Sequence, residues 1–143
     1  MMTISKRGLE LIKRFEGFSA TPYFCPAGKL TIGYGHIILP EESRALINEQ
    51  DAERLLKNDI KTAEQAVLSL VTVELTQGQF DALTSFVFNI GNQAFEKSTL
   101  LRILNRGLPE QAVKQFSRWV YANGRKLEGL VRRRAAEAAL FVS

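Results

Sequence analysis

The sequence predicts a mainly helical α+β fold, in which a short β-hairpin region follows a first helix and helices make up the rest of the chain. Residues 17–39 break the helical period with Gly and Pro and indicate short strands, whereas capped helical patterns run from residue 48 onward. With 143 residues, 45% of them hydrophobic, the chain can bury a core as one domain. We expect a single domain over residues 1–143.

The first helix is predicted from a capping residue and an apolar face. Ser5 can cap a helix in which Leu9, Ile12 and Phe15 share one face. Glu16 falls on that same face. If the helix reaches it, burial favours the protonated carboxyl, which is the form that a general acid needs near neutral pH. The alternative is a helix-terminal Glu that turns to solvent, which is the commoner case.

A hairpin is predicted after this helix. Residues 23–24 and 30–32 are expected to form two short strands, connected by a C-P-A-G turn at residues 25–28. Gly33 and Gly35 follow at alternate positions. Such glycines suit the close approach of a sugar chain along a strand edge, or they mark a bent strand without a ligand.

The chain has one cysteine and one histidine. Cys25 can form no disulfide within the chain, so it is a free thiol. A lone histidine such as His36 is more often a hydrogen-bonded structural residue than a catalyst. One His and one Cys cannot assemble a metal site at ordinary ligand counts, so neither a metal nor another cofactor is expected.

Helix signals dominate the rest of the chain. Asn48 begins a helix of some twenty residues, and Thr76 with Gln79 forms the capping box of the next helix, which Gly91 ends. Phe88 lies outside the apolar sector of that helix, so it either packs against a second layer or lines a binding cleft. The sector itself holds Phe80, Leu83, Phe86, Val87 and Ile90.

Three further helices are predicted toward the end of the chain. Ser98 can cap a short helix that ends at Gly107, and Pro109 begins another, which carries Phe116 and Trp119 and ends at Gly124. The last helix contains the apolar residues Leu130, Val131, Ala135, Ala138 and Leu140.

The formal net charge of +4 falls entirely within residues 72–143. This basic half indicates either a polyanionic partner, such as nucleic acid or an acidic envelope polymer, or simply a solvated basic surface. The sequence offers no recognition-helix or RNA-binding motif, so no nucleic-acid partner is expected. The cationic residues concerned are Arg102, Arg106, Lys114, Arg118, Arg125, Lys126, Arg132, Arg133 and Arg134.

Four ordered blocks carry a family resemblance. The first block has eight residues between Glu16 and Cys25 and five between Cys25 and Thr31. Thr31 then begins the pattern T-x-G-x-G-H at residues 31–36. The other blocks are F-D-A-L-T-S-F-V-F-N-I-G at 80–91, S-T-L-L-R at 98–102 and G-L-V-R-R-R-A-A-E at 129–137. Together they resemble the phage-type lysozymes, or endolysins, a family of glycoside hydrolases, over essentially the whole chain.

The resemblance implies a lysozyme-like fold, in which a small catalytic lobe with a β-hairpin (about residues 1–60, including the start of the connecting helix) is joined by a long helix to an all-α lobe (about 61–143). It also implies hydrolysis of the β-1,4 bond between N-acetylmuramic acid and N-acetylglucosamine in bacterial peptidoglycan, for host cell lysis. By position, Glu16 is the general acid and Thr31 helps to place the attacking water. His36 resembles a structural histidine that pairs with Asp59. The substrate-binding positions of the family are matched by Ile37, Phe88, Asn89 and Ser98.

Cys25 stands where many family members carry Asp. A thiol is neutral at its reference pKa of about 8.5, so it replaces a carboxylate only if its neighbours favour the thiolate. Its role can be that of a base for water, a stabiliser of the oxocarbenium-like state or a transient nucleophile. The alternatives to a muramidase are a lytic transglycosylase and a catalytically weakened, basic cell-wall-binding protein.

The expected partner is the peptidoglycan glycan strand, and we expect a monomer. Residues 1–14 carry several cationic residues and no uninterrupted apolar run, so neither a secretory signal nor stable membrane insertion is expected. The protein is then predicted to stay in the host cytoplasm until a holin-type pore gives it access to the periplasm and the wall.

Overall fold

The structure is a computed structural model that describes residues 1–42 and 46–143. Strands β1, β2 and β3 form an antiparallel sheet in that order, and β4 pairs with β5. The predicted mainly helical α+β class is confirmed. In chain order the elements are α1 (Lys6–Glu16), β1 (Ser19–Phe24), β2 (Leu30–Gly33), β3 (His36–Ile37), α2 (Glu49–Leu70), α3 (Gln77–Ile90), α4 (Asn92–Glu96), α5 (Thr99–Asn105), α6 (Pro109–Ala112), a 3₁₀ helix (Val113–Arg118), β4 (Tyr121–Ala122), β5 (Arg125–Lys126) and α7 (Glu128–Phe141).

These elements divide into two compact units. The sheet unit is Ile12–Lys61, and the helical unit is Met1–Leu11 together with Thr62–Ser143. Helices α1 and α2 each contribute residues to both units. Over the two described stretches of the chain, no helix is long and apolar enough to cross a membrane.

The N-terminal segment belongs to the helical unit and not to the small lobe in which the sequence placed it. The backbone N–H of Ile4 donates to the Glu64 carboxylate at 2.7 Å, and that of Ser5 donates to Asp81 at 2.9 Å. The periodicity of α1 indicates its apolar face but not which distant helix that face will meet, so the lobe boundary was not visible in the sequence.

The sheet unit contains the predicted hairpin and one strand more. In the register of β1 and β2, Tyr23 lies opposite Thr31, and in that of β2 and β3, Ile32 lies opposite His36. The two residues of β3 are too few to show an alternating pattern, which is why the sequence did not indicate this strand. The core of the unit consists of the buried residues Ile12, Ile32, Tyr34, Ile47, Ala52, Leu56 and Ile60.

Helix α3 runs through the core of the helical unit. Its predicted capping box is present: Gln79 N–H donates to Thr76 Oγ1 at 3.1 Å, and Thr76 N–H donates to Gln79 Oε1 at 2.9 Å. The buried surface of the helix is wider than the predicted apolar sector, because Asp81, Thr84 and Ser85 are also buried. A helix enclosed on all sides buries its polar residues as well as its apolar ones.

An aromatic cluster fills the core around α3. The Phe86 ring lies edge-to-face against Phe95, Phe116 and Trp119, with centroid distances of 6.3, 5.1 and 5.5 Å. Phe141 extends the cluster by contacting Phe116 at 5.7 Å. Edge-to-face contacts of this kind contribute beyond the area that they bury, so the cluster fixes how the surrounding helices pack.

The helix predicted from Pro109 to Gly124 is wrong beyond residue 112. The α-helix is only four residues long, a 3₁₀ helix follows, and β4 and β5 then form a hairpin. Its turn contains Asn123 and Gly124, at φ of 51° and 76°. Two consecutive residues at positive φ are what an Asn-Gly hairpin turn requires, and this conformation cannot continue a helix.

Helix α7 turns charged residues toward the core. Arg133, Arg134 and Glu137 are buried, whereas Ala135 is exposed. The prediction that Arg133 and Arg134 belong to a basic surface is therefore wrong, because an acidic partner one helical turn away permits their burial.

Candidate active site

Glu16 ends α1 half-buried, with its carboxylate against the turn between β2 and β3. A Cβ atom at Gly35 would lie 2.9 Å from Glu16 Oε1, and the φ of Gly35 is +81°. The residue at position 35 therefore has to adopt a left-handed backbone conformation and to leave space for a carboxylate oxygen. Glycine satisfies both.

Gly33 is explained in the same way by a neighbour inside the sheet unit. Its φ is +68°, and a Cβ atom there would lie 3.1 Å from the Cβ of Ala52 in α2. The protein itself therefore makes a close approach at both glycines of the G-x-G pattern. These contacts account for the pattern without a sugar chain lying on the backbone.

Cys25 begins the turn between β1 and β2. Its N–H donates to Lys29 O at 2.9 Å, and Gly28 N–H donates to Cys25 O at 2.8 Å. The backbone N–H of Lys29 lowers the pKa of the thiol, burial opposes this, and the Ala27 N–H and the Thr31 hydroxyl lower the pKa further, so that it lies below its ordinary value. The turn thus surrounds the sulfur with donors that favour a thiolate.

Thr31 is buried in β2, with 2% of its surface exposed. Its Oγ1 donates to Lys29 O at 2.9 Å, and the same hydroxyl is a hydrogen-bond partner of Cys25. A hydroxyl carries a single proton, so it donates either to the carbonyl or to the sulfur. Ionisation of Cys25 draws that proton toward the sulfur, which couples the two side chains.

Tyr23 belongs to the same cluster, although the sequence did not single it out. Burial and then the negative charges of Glu16 and Cys25 raise the pKa of its phenol. The strand register places Tyr23 opposite Thr31. Its position two residues before Cys25, on one face of an extended segment, was the available signal.

His36 is held between two carboxylates. Its Nδ1 lies 2.8 Å from Asp59 Oδ2, the pairing expected from the family resemblance, and its Nε2 lies 3.1 Å from Glu42, which the sequence did not indicate. Burial lowers the pKa of His36, but its hydrogen bonds to both carboxylates outweigh burial and raise it above the ordinary value. The imidazole therefore braces β3 against α2 and the segment that follows β3.

None of the described side chains forms a group of three or more His, Cys, Asp and Glu residues that could hold a metal ion.

Comparison with known proteins assigns the chain to a family. The Phage lysozyme family model matches residues 13–137. The similarity extends over the whole chain. An endolysin from Acyrthosiphon pisum secondary endosymbiont phage 1 is 45% identical over 146 residues, which cover 99% of both chains. The chain belongs to the phage lysozyme family.

Two further phage lysozyme relatives define the extent of the similarity. The endolysin of Bacillus phage B103 is 42% identical over 99% of this chain, which spans only 55% of that relative's length. The muramidase domain of SpmX from Asticaccaulis excentricus superposes with a TM-score of 0.91 at 41% identity, covering 100% of this chain and 99% of that one. The lysozyme-like fold is thus confirmed, and the chain is a glycoside hydrolase of the lysozyme class.

The residues predicted to bind substrate are distributed over both units. Ile37 is an exposed residue of β3 in the sheet unit. In the helical unit, Phe88 is half-buried and packs at the edge of the hydrophobic core, and its neighbour Asn89 is exposed. Packing against the core was one of the two alternatives for Phe88, and its contact with a sugar stays a prediction.

Ser98 is a buried capping residue of α5. Its hydroxyl oxygen accepts a hydrogen bond from Leu101 N–H at 3.1 Å and donates to Phe95 O at 2.7 Å. The cap predicted from the sequence is confirmed. Because its only proton is engaged by a backbone carbonyl, a role in substrate binding stays a prediction.

Proposed function

We propose that the chain cleaves the β-1,4 bond between N-acetylmuramic acid and N-acetylglucosamine in peptidoglycan, with Glu16 as the general acid. The observation that carries this proposal is the position of the Glu16 carboxylate against Gly35, in the unit that also holds the donor-rich turn of Cys25. A half-buried carboxyl group can donate its proton to the leaving oxygen. The reaction then needs a second, deprotonated group that acts as a base or a nucleophile.

Cys25 takes the second role in this proposal, as the base for the attacking water. The lowered pKa of its thiol favours the thiolate that this role needs, and the neighbouring Thr31 is proposed to help place the water. Glycosidases commonly divide these roles between two carboxyl groups, and a thiolate carries the same charge as the carboxylate that it replaces. Ile37, Phe88, Asn89 and Ser98 are proposed to contact the glycan.

The test is the lysis of chloroform-permeabilised Gram-negative cells by wild type and by Glu16→Gln. We expect Glu16→Gln to lose nearly all activity, whereas Glu41→Gln, which removes an exposed carboxylate in the same unit, keeps it. Equal lysis by wild type and Glu16→Gln contradicts the proposal. It would point instead to disruption of the envelope by the basic surface.

Mass spectrometry of the released muropeptides separates hydrolysis from lytic transglycosylation. We expect reducing-end products, whereas 1,6-anhydro products, lighter by one water, would assign the chain to the transglycosylase reaction. The monomeric state and the need for a holin-type pore stay predictions. Lysis upon expression in a strain that lacks such a pore contradicts the latter.

A further inference from the structure

Arg134 is a buried cation in the core of the helical unit. Its side chain in α7 is 1% exposed, and its guanidinium lies over the Phe86 ring at 5.0 Å. Its Nε lies 3.0 Å from Glu137 Oε1. Burial lowers the pKa of Arg134 to about 10, so the side chain keeps its charge at neutral pH.

A network around Glu137 fixes the position of this guanidinium. Glu137 is fully buried, and its Oε2 accepts a hydrogen bond from Ser85 Oγ at 2.5 Å and one from Arg133 Nε at 3.3 Å. With the carboxylate held by two partners and the cation packed on Phe86, Arg134 has no freedom to swing outward. It is a rigid buried donor.

The far end of Arg134 reaches the exposed side chain of Asn89. Arg134 Nη2 donates a hydrogen bond to Asn89 Oδ1, at the end of α3. A guanidinium has donors and no acceptor, so the amide of Asn89 must turn its oxygen inward and its NH₂ group away. In the described part of the chain no residue accepts a hydrogen bond from Asn89 Nδ2.

We propose that Arg134 is a positioning residue, which orients the Asn89 amide so that its NH₂ group donates to a carbonyl oxygen of the glycan, such as that of an N-acetyl group. This inference rests on the proposed function and deepens it. It assigns Asn89 a donor role, because Arg134 already occupies one lone pair of Oδ1 and holds the NH₂ group on the side turned away from the guanidinium.

Asn89→Asp tests the donor role without altering any buried residue. The carboxylate still accepts the hydrogen bond from Arg134, but it presents an oxygen in place of the NH₂ group. We expect KM for soluble peptidoglycan fragments to rise about tenfold while kcat changes little, because one hydrogen bond is lost and two acceptors face each other. Tm should not fall. Asn92→Asp adds the same charge three positions further along, on another exposed asparagine, and should leave KM unchanged.

Arg134→Leu tests the positioning role in two backgrounds. In wild type we expect KM to rise several-fold at temperatures well below Tm, since the amide loses its fixed orientation. In Asn89→Ala, the same substitution should add no further change in KM, because the residue through which Arg134 acts is already gone. If Arg134→Leu does not fold, Arg134→Lys in the same two backgrounds takes its place.

Two outcomes overturn the inference while leaving the proposed function intact. One is a wild-type KM in Asn89→Asp. The other is an equal rise in KM for the Arg134 variant in both backgrounds, which would make its effect independent of Asn89. Absence of muramidase activity in the wild-type chain would instead overturn the proposed function itself.

Discussion

If Cys25 is the base, as proposed, the ionisation of its thiol should shape the pH dependence of the activity. Because the Lys29 N–H and the Thr31 hydroxyl lower the pKa of Cys25, we expect the part of the pH profile that rises as the base ionises to lie at lower pH than an ordinary thiol would place it. Cys25→Asp should keep much of the activity and move this rise toward pH 4, the usual range of a carboxyl. Rates of peptidoglycan hydrolysis between pH 4 and 9 measure both.

Cys25→Ser is the matched control for this prediction. It preserves the size of the side chain but supplies no anion, so we expect it to lose most activity across the whole pH range. Alkylation of Cys25 should inhibit the wild type and leave Cys25→Asp unaffected. Equal activity of Cys25→Ser and wild type would remove the thiol from the mechanism.

Gly35→Ala should separate the space that Glu16 needs from ordinary backbone strain. Alanine at a φ of +81° is strained by roughly 1–2 kcal/mol, and its Cβ would also displace the Glu16 carboxylate. Gly107→Ala carries the same strain at a φ of +79°, with no neighbour within 4 Å. We expect similar losses of stability in urea unfolding but a large loss of activity in Gly35→Ala only. Comparable activity in the two variants would contradict the close contact with Glu16.

The spacing of a few residues was enough to predict candidate reacting groups, whose roles stay predictions, but not their surroundings. Glu16, Cys25 and Thr31 were indicated by chemistry and spacing together, and each lies in the sheet unit. Tyr23 and Glu42 were missed. Whether they reach the site depends on strand register and on the path of a loop, which become fixed only when the sheet forms.

At the scale of elements, capping and periodicity predicted the helices that have ordinary ends. The caps at Ser98 and Thr76 were correct because a side chain within four residues decides them. The hairpin at Asn123 and Gly124 was missed because the predicted helix was continued up to Gly124. The Asn-Gly pair is itself a strong signal for a hairpin turn. The buried face of α7 was missed because charged residues are rarely buried without partners, and the partner is visible only after folding.

Glu137 is the acid that permits this burial, so its removal should destabilise the helical unit. In Glu137→Gln, two buried arginines lose their counter-charge, and we expect a loss of about 3–5 kcal/mol in the free energy of unfolding. Glu128→Gln, at an exposed position of the same helix, should change stability by less than about 0.5 kcal/mol. Urea unfolding measures both. Equal stability of the two variants would show that the network contributes nothing to folding.

For the whole molecule, the charge count overstates the basic surface. Two of the arginines in the basic half are turned inward and paired with Glu137, so they offer no contact to an acidic polymer. A net charge of +4 still favours encounter with an anionic wall. Charge of this size accompanies many functions, so it does not by itself specify the activity.

The pH dependence of global stability should report the brace at His36. Its pKa is raised in the folded state by Asp59 and Glu42, so its stabilising contribution is fully present below the unfolded value of about 6.5 and is lost as pH rises through the higher folded value. We therefore expect the free energy of unfolding of wild type to exceed that of His36→Gln by more at pH 5.5 than at pH 9. The comparison with His36→Gln isolates the contribution of the imidazole. Urea unfolding at the two pH values measures it, and a difference that does not change with pH would show that the two carboxylates contact a neutral ring.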